Sequence, residues 1–188
     1  MFPVPKFDPS TWPPEMSGGF FSPVWRGLDY DRPMATGEIA TIGYEACGFD
    51  AFVRCLRDAG IRQVIDVRDL PLSRRAGFSK RSLAAGLAEA GIGYRHLKAL
   101  GTPAEGREAN RRRQWDTFWR IVEARLATPE ADFALAEAAA WAAASPSCLL
   151  CYEASACQCH RLRVGEMLAA RYGFRIRHLS VHGSTPSP

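Results

Sequence analysis

Cys151-Tyr152-Glu153, followed by Cys157-Gln158-Cys159-His160-Arg161, places thiols, a carboxylate, an imidazole and a guanidinium within eleven residues. The segment follows the apolar run Cys148-Leu149-Leu150 and precedes a helical pattern. A strand's carboxyl end meeting a helix's amino end is where α/β proteins build sites, because free N–H groups and positive potential gather there. That potential lowers a thiol pKa and holds an anion. Glu153 is the preferred general base, His160 a candidate acid and Cys159 a candidate reactive thiol. Arg161 could clamp an anion in a bidentate way.

Three specific chemistries fit parts of this segment. Cys148, Cys151, Cys157, Cys159 and His160 offer zinc donors, but Cys148 and Cys151 would point to opposite faces of one strand, which breaks the usual ligand pair. Metal is therefore disfavoured, and no cofactor is assigned. Cys157 to Arg163 has the Cys-x5-Arg spacing of cysteine phosphatases. The stretch lacks glycine and Cys157 is away from the strand tip, so the match reads as accidental. A persulfide-carrying thiol would sit at Cys151, yet the tight glycine-containing loop it needs is missing.

Three further groups follow apolar runs. In Thr41-Ile42-Gly43-Tyr44-Glu45, Gly43 allows close approach of a ligand or another chain, and Tyr44 projects from the strand end. A tight turn with a capping acid is the plainer reading. Asp66-Val67-Arg68 puts Asp66 and Arg68 on one strand face. A covered Asp66 is costly unless paired, and Arg68 is its nearest partner. The loop beyond, with Ser73, Arg74, Arg75 and Lys80, is rich in donors and ends at a helix start. It suits phosphate or carboxylate, or simply an ion pair that braces a loop. In Tyr94-Arg95-His96, His96 is a further acid–base candidate, although a lone strand histidine is more often structural. Arg111-Arg112-Arg113 beside Trp115 and Trp119 could stack on bases. Core tryptophans and a solvated basic face are the ordinary alternative.

The elements that must position these residues alternate. Strands are expected over Ile39–Gly43, Ile61–Val67, Ile92–Leu97, Cys148–Tyr152 and Phe174–Val181. A helix with Phe49, Phe52, Val53 and Leu56 on one face ends at Gly60. Another is capped by Ser79 and carries Leu83 and Leu87. One long helix should bear Trp115, Phe118, Trp119, Val122 and Leu126. An alanine-rich helix starts at Thr128-Pro129, with proline favoured at the first position. A last one runs from Arg161 to Tyr172 before Gly173. The alternation implies a single three-layer α/β domain, Rossmann-like, with a mostly parallel five-stranded sheet and helices on both faces.

Residues 1–37 form an expected extended arm. Seven of the 13 prolines fall in the first 36 residues, beside seven aromatics, so regular structure is blocked but docking on the domain or on a second copy is favoured. Residues 38–182 are the domain and 183–188 a disordered tail. The first 36 residues hold three basic and four acidic side chains, leaving 21 against 16 for the rest of a chain whose net charge is +4. That bias is compatible with an anionic partner. There is no apolar run of the roughly 18 residues a membrane span requires, and the first residues lack a signal-peptide pattern. A cytoplasmic protein with largely reduced cysteines is expected.

With these motifs quoted, the chain resembles the domain of unknown function 488 family. Thr41–Glu45, Asp66-Val67-Arg68 with Pro71, Ser73, Phe78 and Lys80, Tyr94 with Leu100-Gly101, Cys151-Tyr152-Glu153 and Cys159-His160-Arg161 carry the likeness. The resemblance implies a compact α/β domain with a parallel sheet and no established reaction. The combined expectation is an enzyme that binds an anionic nucleotide or nucleic acid at the sheet's carboxyl edge and hydrolyses it or transfers a group. Tyr44, Asp66, Arg68, Ser73, Lys80 and Arg161 would bind the substrate, and Glu153, His160, Cys159 and His96 would act on it. Rhodanese-like sulfur transfer and a non-catalytic nucleic-acid-binding module are the alternatives.

Overall fold

Ser147-Cys148-Leu149-Leu150-Cys151 has no strongly solvated side chain on either face, and it becomes the central strand, buried at every position. A strand apolar on both sides needs cover on both sides. The computed structural model supplies it, and it describes residues 37–181. The arm and the tail lie outside the described residues.

The elements in chain order are β1 (Glu38–Gly43), α1 (Phe49–Asp58), β2 (Gln63–Asp66), α2 (Lys80–Glu89), β3 (Gly93–His96), α3 (Ala104–Arg111), α4 (Trp115–Leu126), α5 (Pro129–Ala144), β4 (Ser147–Cys151), α6 (Arg161–Tyr172) and β5 (Arg175–His178). The sheet order is β3-β2-β4-β1-β5. Every pairing is parallel, with Ile42 opposite Leu150 and Asp66 opposite Leu150 in register. The order differs from the 3-2-1-4-5 arrangement of the doubly wound dinucleotide-binding fold.

Strand alternation divides the core into two layers. Ala40, Ile42, Val64, Cys148 and Leu150 face Phe52 and Leu56 of α1 and Leu83 and Leu87 of α2. Ile39, Ile65, Leu149 and Cys151 face α3–α6, including Phe118, Val122, Leu135, Val164 and Leu168. Cys148 and Cys151 therefore do point to opposite sides of the sheet.

Several local signals act as expected. Thr128 Oγ1 accepts from Ala131 N–H, with Pro129 in the first helical turn. Gly60 and Gly173 take positive φ just beyond α1 and α6. One expectation is corrected. The long helix is two helices, broken at Arg112–Gln114, where Arg113 adopts φ 57° and Gln114 N–H turns back to Ala109 O. Trp115 and Trp119 are partly buried against the core. Among the described residues, no helix is long and apolar enough to cross a membrane.

Candidate active site

The connection after β4 leaves toward α6 on one side of the sheet. Those after its neighbours β1 and β2 leave toward α1 and α2 on the other. Neighbouring strands whose connections part in this way open a crevice at their carboxyl ends. The reactive segment lies there.

On the α3–α6 side, Cys151 ends β4, and Cys159 and His160 immediately precede α6. His160 Nε2 lies 2.8 Å from Val67 O. A carbonyl can only accept, so Nε2 carries the proton and Nδ1 is turned inward. Nδ1 is 3.6 Å from Cys151 Sγ and 3.9 Å from Cys159 Sγ. Cys151 Sγ is 3.2 Å from Glu153 Oε2, while Asn110 of α3 donates to Glu153 Oε1 at 2.8 Å. Cys151, Cys159 and His160 are buried, and Glu153 is half-buried.

Burial shapes the electrostatics of this cluster. It raises the Cys151 thiol well above the ordinary range, helped by Cys159 and Glu153. It also pushes the Cys159 thiol up, but the hydrogen bonds from Cys151 and His160 and the positive charges of His160 and Arg161 outweigh it and hold that thiol well below the usual value. Burial opposes the charge on His160, yet Cys159 wins and raises it. The Glu153 carboxyl is pushed up to about 7 by burial and then by negative Cys159.

The segment is seated by backbone contacts. Arg161, almost wholly buried, donates to Glu153 O and Ala154 O. Ala154 N–H donates to Glu45 Oε2 at 3.0 Å. A Cβ built on Gly43 would lie 1.7 Å from Glu153 O. The close approach expected at Gly43 is thus made by the chain's own β4–α6 connection.

On the α1–α2 side a second network surrounds Asp66, which is fully buried. Arg68 Nε donates to Asp66 Oδ1 at 2.8 Å and Nη2 to Oδ2 at 2.6 Å. Arg68 Nη1 donates to Tyr44 Oη and to Phe78 O. Tyr94 Oη donates to Asp66 Oδ2 at 2.7 Å. Burial and then Asp66 raise the Tyr94 hydroxyl pKa, which keeps it a donor. Tyr44 stacks on Phe78 at 4.3 Å between centroids and meets Tyr152 edge-on at 5.4 Å. His96 Nε2 donates to Arg68 O at 2.8 Å, and Lys80 Nζ approaches His96 Nδ1 at 3.2 Å. The Ser79 hydroxyl bonds the backbone of Ser73, whose own hydroxyl accepts from Arg75 N–H.

The structure thus gathers Cys159, His160 and Glu153 with Cys151 on one side. It gathers Tyr44, Asp66, Arg68, His96 and Lys80 on the other. Two successive carbonyls, Val67 O and Arg68 O, hold His160 and His96 on opposite sides of the same strand extension. The guanidiniums of Arg68 and Arg161 are directed at protein oxygens. Asn110 and Tyr94 were missing from the expected site. No local spacing links Asn110 to a carboxylate 43 residues later; Tyr94 shares a strand face with His96, which is the one usable signal.

An all-parallel α/β protein with a thiol–imidazole–carboxylate cluster at the carboxyl edge of its central strand is the class these features define. The chain matches the family described as Domain of unknown function DUF488 over residues 48–168 and belongs to it. The match takes in β2 to β4, both Cys151-Tyr152-Glu153 and Cys159-His160-Arg161, and most of α6. No curated protein and no solved structure matched the chain.

Proposed function

We propose that the protein is an enzyme acting on an anionic substrate, a nucleotide or nucleic acid, by hydrolysis or group transfer at the carboxyl edge of the sheet. One observation carries this reading: two thiols, an imidazole and a carboxylate from the end of β4 and the approach to α6 converge where the connections of adjacent strands part, held by Asn110 and Val67 O from two other segments. Glu153 acts as the base. Asn110 fixes its Oε1 and leaves Oε2 facing the cluster. Arg68 and Arg161 hold the walls of the site, since their N–H groups serve Asp66, Tyr44 and the backbone. The anion falls instead to exposed Lys80 at the start of α2, which His96 steadies, and to exposed Arg74 in the β2–α2 loop. Exposed Leu70, Leu72 and Tyr152 offer apolar surface for a base or sugar.

Sulfur transfer asks for a thiol that a substrate can reach. Cys151 is 5% exposed and Cys159 is fully buried, so hydrolysis or transfer at an oxygen centre is preferred. A bare binding module leaning on Arg111–Arg113 gains little support, because Arg111 and Arg112 pair with Glu108.

The test is binding and turnover of simple aryl phosphate esters, nucleoside monophosphates and short single-stranded oligonucleotides by the full chain. Lys80→Ala with Arg74→Ala should weaken binding and flatten its salt dependence. Glu153→Gln should bind as before and turn over at least 100-fold more slowly, within the range typical of a lost general base. Unchanged turnover in Glu153→Gln would overturn the assignment.

A further inference from the structure

The geometry points to a divalent transition-metal site, zinc by donor type, formed by Cys151 Sγ, Cys159 Sγ and His160 Nδ1, with the Glu153 carboxylate bordering the fourth position. This deepens the reading of the same cluster as an active centre and rests on it for the ion's catalytic use. The three inner donor atoms lie within 4.8 Å of one another. A tetrahedral ion with Zn–S about 2.3 Å and Zn–N about 2.0–2.1 Å separates its sulfur and nitrogen ligands by about 3.6 Å. The observed separations from Nδ1 to the two sulfurs are 3.6 and 3.9 Å. Glu153 Oε2, 3.2 Å from Cys151 Sγ, sits about 0.4 Å inside the sulfur–oxygen edge of about 3.6 Å, so the carboxylate borders the ion's position rather than completing it.

The donor chemistry agrees with the spacing. Thiolates and imidazole select zinc and its neighbours over magnesium or calcium. His160 is held from behind as metal ligands usually are, and so is the carboxylate beside the open position. His160 gives its other N–H to Val67 O, which fixes the tautomer with Nδ1 free. Glu153 receives Asn110 on the oxygen that would not face the ion.

Charge also balances. Two thiolates cancel a divalent cation, and the Glu153 carboxylate is offset by the buried guanidinium of Arg161. Loading releases two protons to solvent, one from the Cys151 thiol and one from the Cys159–His160 pair, with no redox change. Three donors are buried while Glu153 is half-buried, so the fourth position, which the carboxylate borders, is the one a substrate or water would enter. That is the arrangement of a catalytic rather than a closed structural ion. Cys148 is excluded because it faces α1 and α2, and Cys157 because it is exposed.

The test uses the full chain, reduced, stripped with chelator and titrated with Co2+. One ion per chain, a thiolate-to-cobalt charge-transfer band, intense tetrahedral d–d bands and displacement by Zn2+ are expected. Cys151→Ser and Cys159→Ser should each abolish the charge-transfer spectrum or strip one thiolate's share of it; Cys157→Ser should leave it intact. Asn110→Ala, a milder change on a helix surface, should weaken cobalt affinity by about 10–100-fold with the circular dichroism spectrum retained, which keeps the test valid if a cysteine variant fails to fold. Absence of a charge-transfer band in folded, reduced wild type overturns the site. So does a full band in both serine variants, or an unchanged affinity in Asn110→Ala. Nucleotide binding is read on the same samples. Nucleotide binding without cobalt binding removes the metal alone; cobalt binding without nucleotide binding or turnover removes the enzymatic reading alone.

Discussion

The two sides of one strand extension, Asp66-Val67-Arg68, carry polar networks of opposite character. Toward α1 and α2, both Asp66 oxygens and the Arg68 guanidinium are met by fixed partners: each other, Tyr44, Tyr94 and Phe78 O. Toward α3 and α6, two thiols and an inward ring nitrogen are left facing one another with a carboxylate at the rim. A satisfied buried network stiffens what surrounds it. A set of soft donors that satisfy each other only at sulfur distances leaves chemistry to be done. The strand extension thus carries a brace on one face and borders, on the other, the cluster presented by β4 and the approach to α6, with Val67 O and Arg68 O anchoring His160 and His96 on the two sides.

The largest effect should come from breaking the brace. Asp66→Ala leaves the Arg68 guanidinium buried without its counter-ion, and loss of one partner from a buried pair costs about 3–5 kcal/mol. Urea unfolding should show that loss. Added phosphate should not restore it, because Arg68 is enclosed by Tyr44 and Phe78 and is not open to solvent. Recovery of stability by phosphate would move Arg68 from the brace to the binding site and dissolve the contrast between the two faces.

A smaller effect tests how closely each network depends on its backbone seat. A Cβ at Gly43 would meet Glu153 O at 1.7 Å, and one at Gly101 would meet Asp69 N at 2.0 Å. Neither position needs an unusual φ; both need space. Gly43→Ala and Gly101→Ala should each cost about 1–3 kcal/mol by forcing the facing backbone away. They should differ in consequence. Gly43→Ala displaces the segment that carries Glu153 and should weaken cobalt binding, whereas Gly101→Ala displaces the residue after Arg68 and should leave the cobalt spectrum unchanged. Equal effects on cobalt would mean that the two faces act as one unit.

The framework of this arrangement was legible in sequence because it rests on local pattern. The apolar runs at Ile39–Gly43 and Cys148–Leu150, the glycines at 60 and 173 and the Arg161–Tyr172 periodicity each specify an element without reference to distant residues. The Asp66–Arg68 pair was readable for the same reason, being two residues apart on one strand. What was not legible depends on tertiary contact. The break at Arg112–Gln114 sits in a polar run with no glycine or proline to announce it. Arg161 has the composition of an anion clamp, and only the path of the β4–α6 connection over Gly43 turns it toward Glu153 O and Ala154 O. The grouping of Cys151 with Cys159 and His160 was not legible either: Cys148 and Cys151 are indeed on opposite faces, and the converging set takes its second cysteine and histidine from the far side of a loop whose course the spacing does not encode.

The smallest predicted effect lies outside both networks and fixes the baseline against which they are compared. His178, on edge strand β5, shares a 2.7 Å hydrogen bond between its Nδ1 and Thr41 Oγ1. Partial burial, and then the charge of Arg161, hold its imidazole below the ordinary value near 6.5. The unfolded chain therefore binds the proton first as pH falls. The stability contributed by neutral His178 is complete above about pH 6.5 and declines as pH drops from there through the lower folded pKa, because stability rises with pH wherever the unfolded state holds more protons. His178→Gln, which keeps a hydrogen-bonding side chain without the titration, should lower the slope of unfolding free energy against pH just below 6.5 by the histidine's share, which Glu153 and His160, raised in the fold, oppose in sign. A slope that survives intact in this variant would place the acid sensitivity in the networks at the carboxyl edge instead.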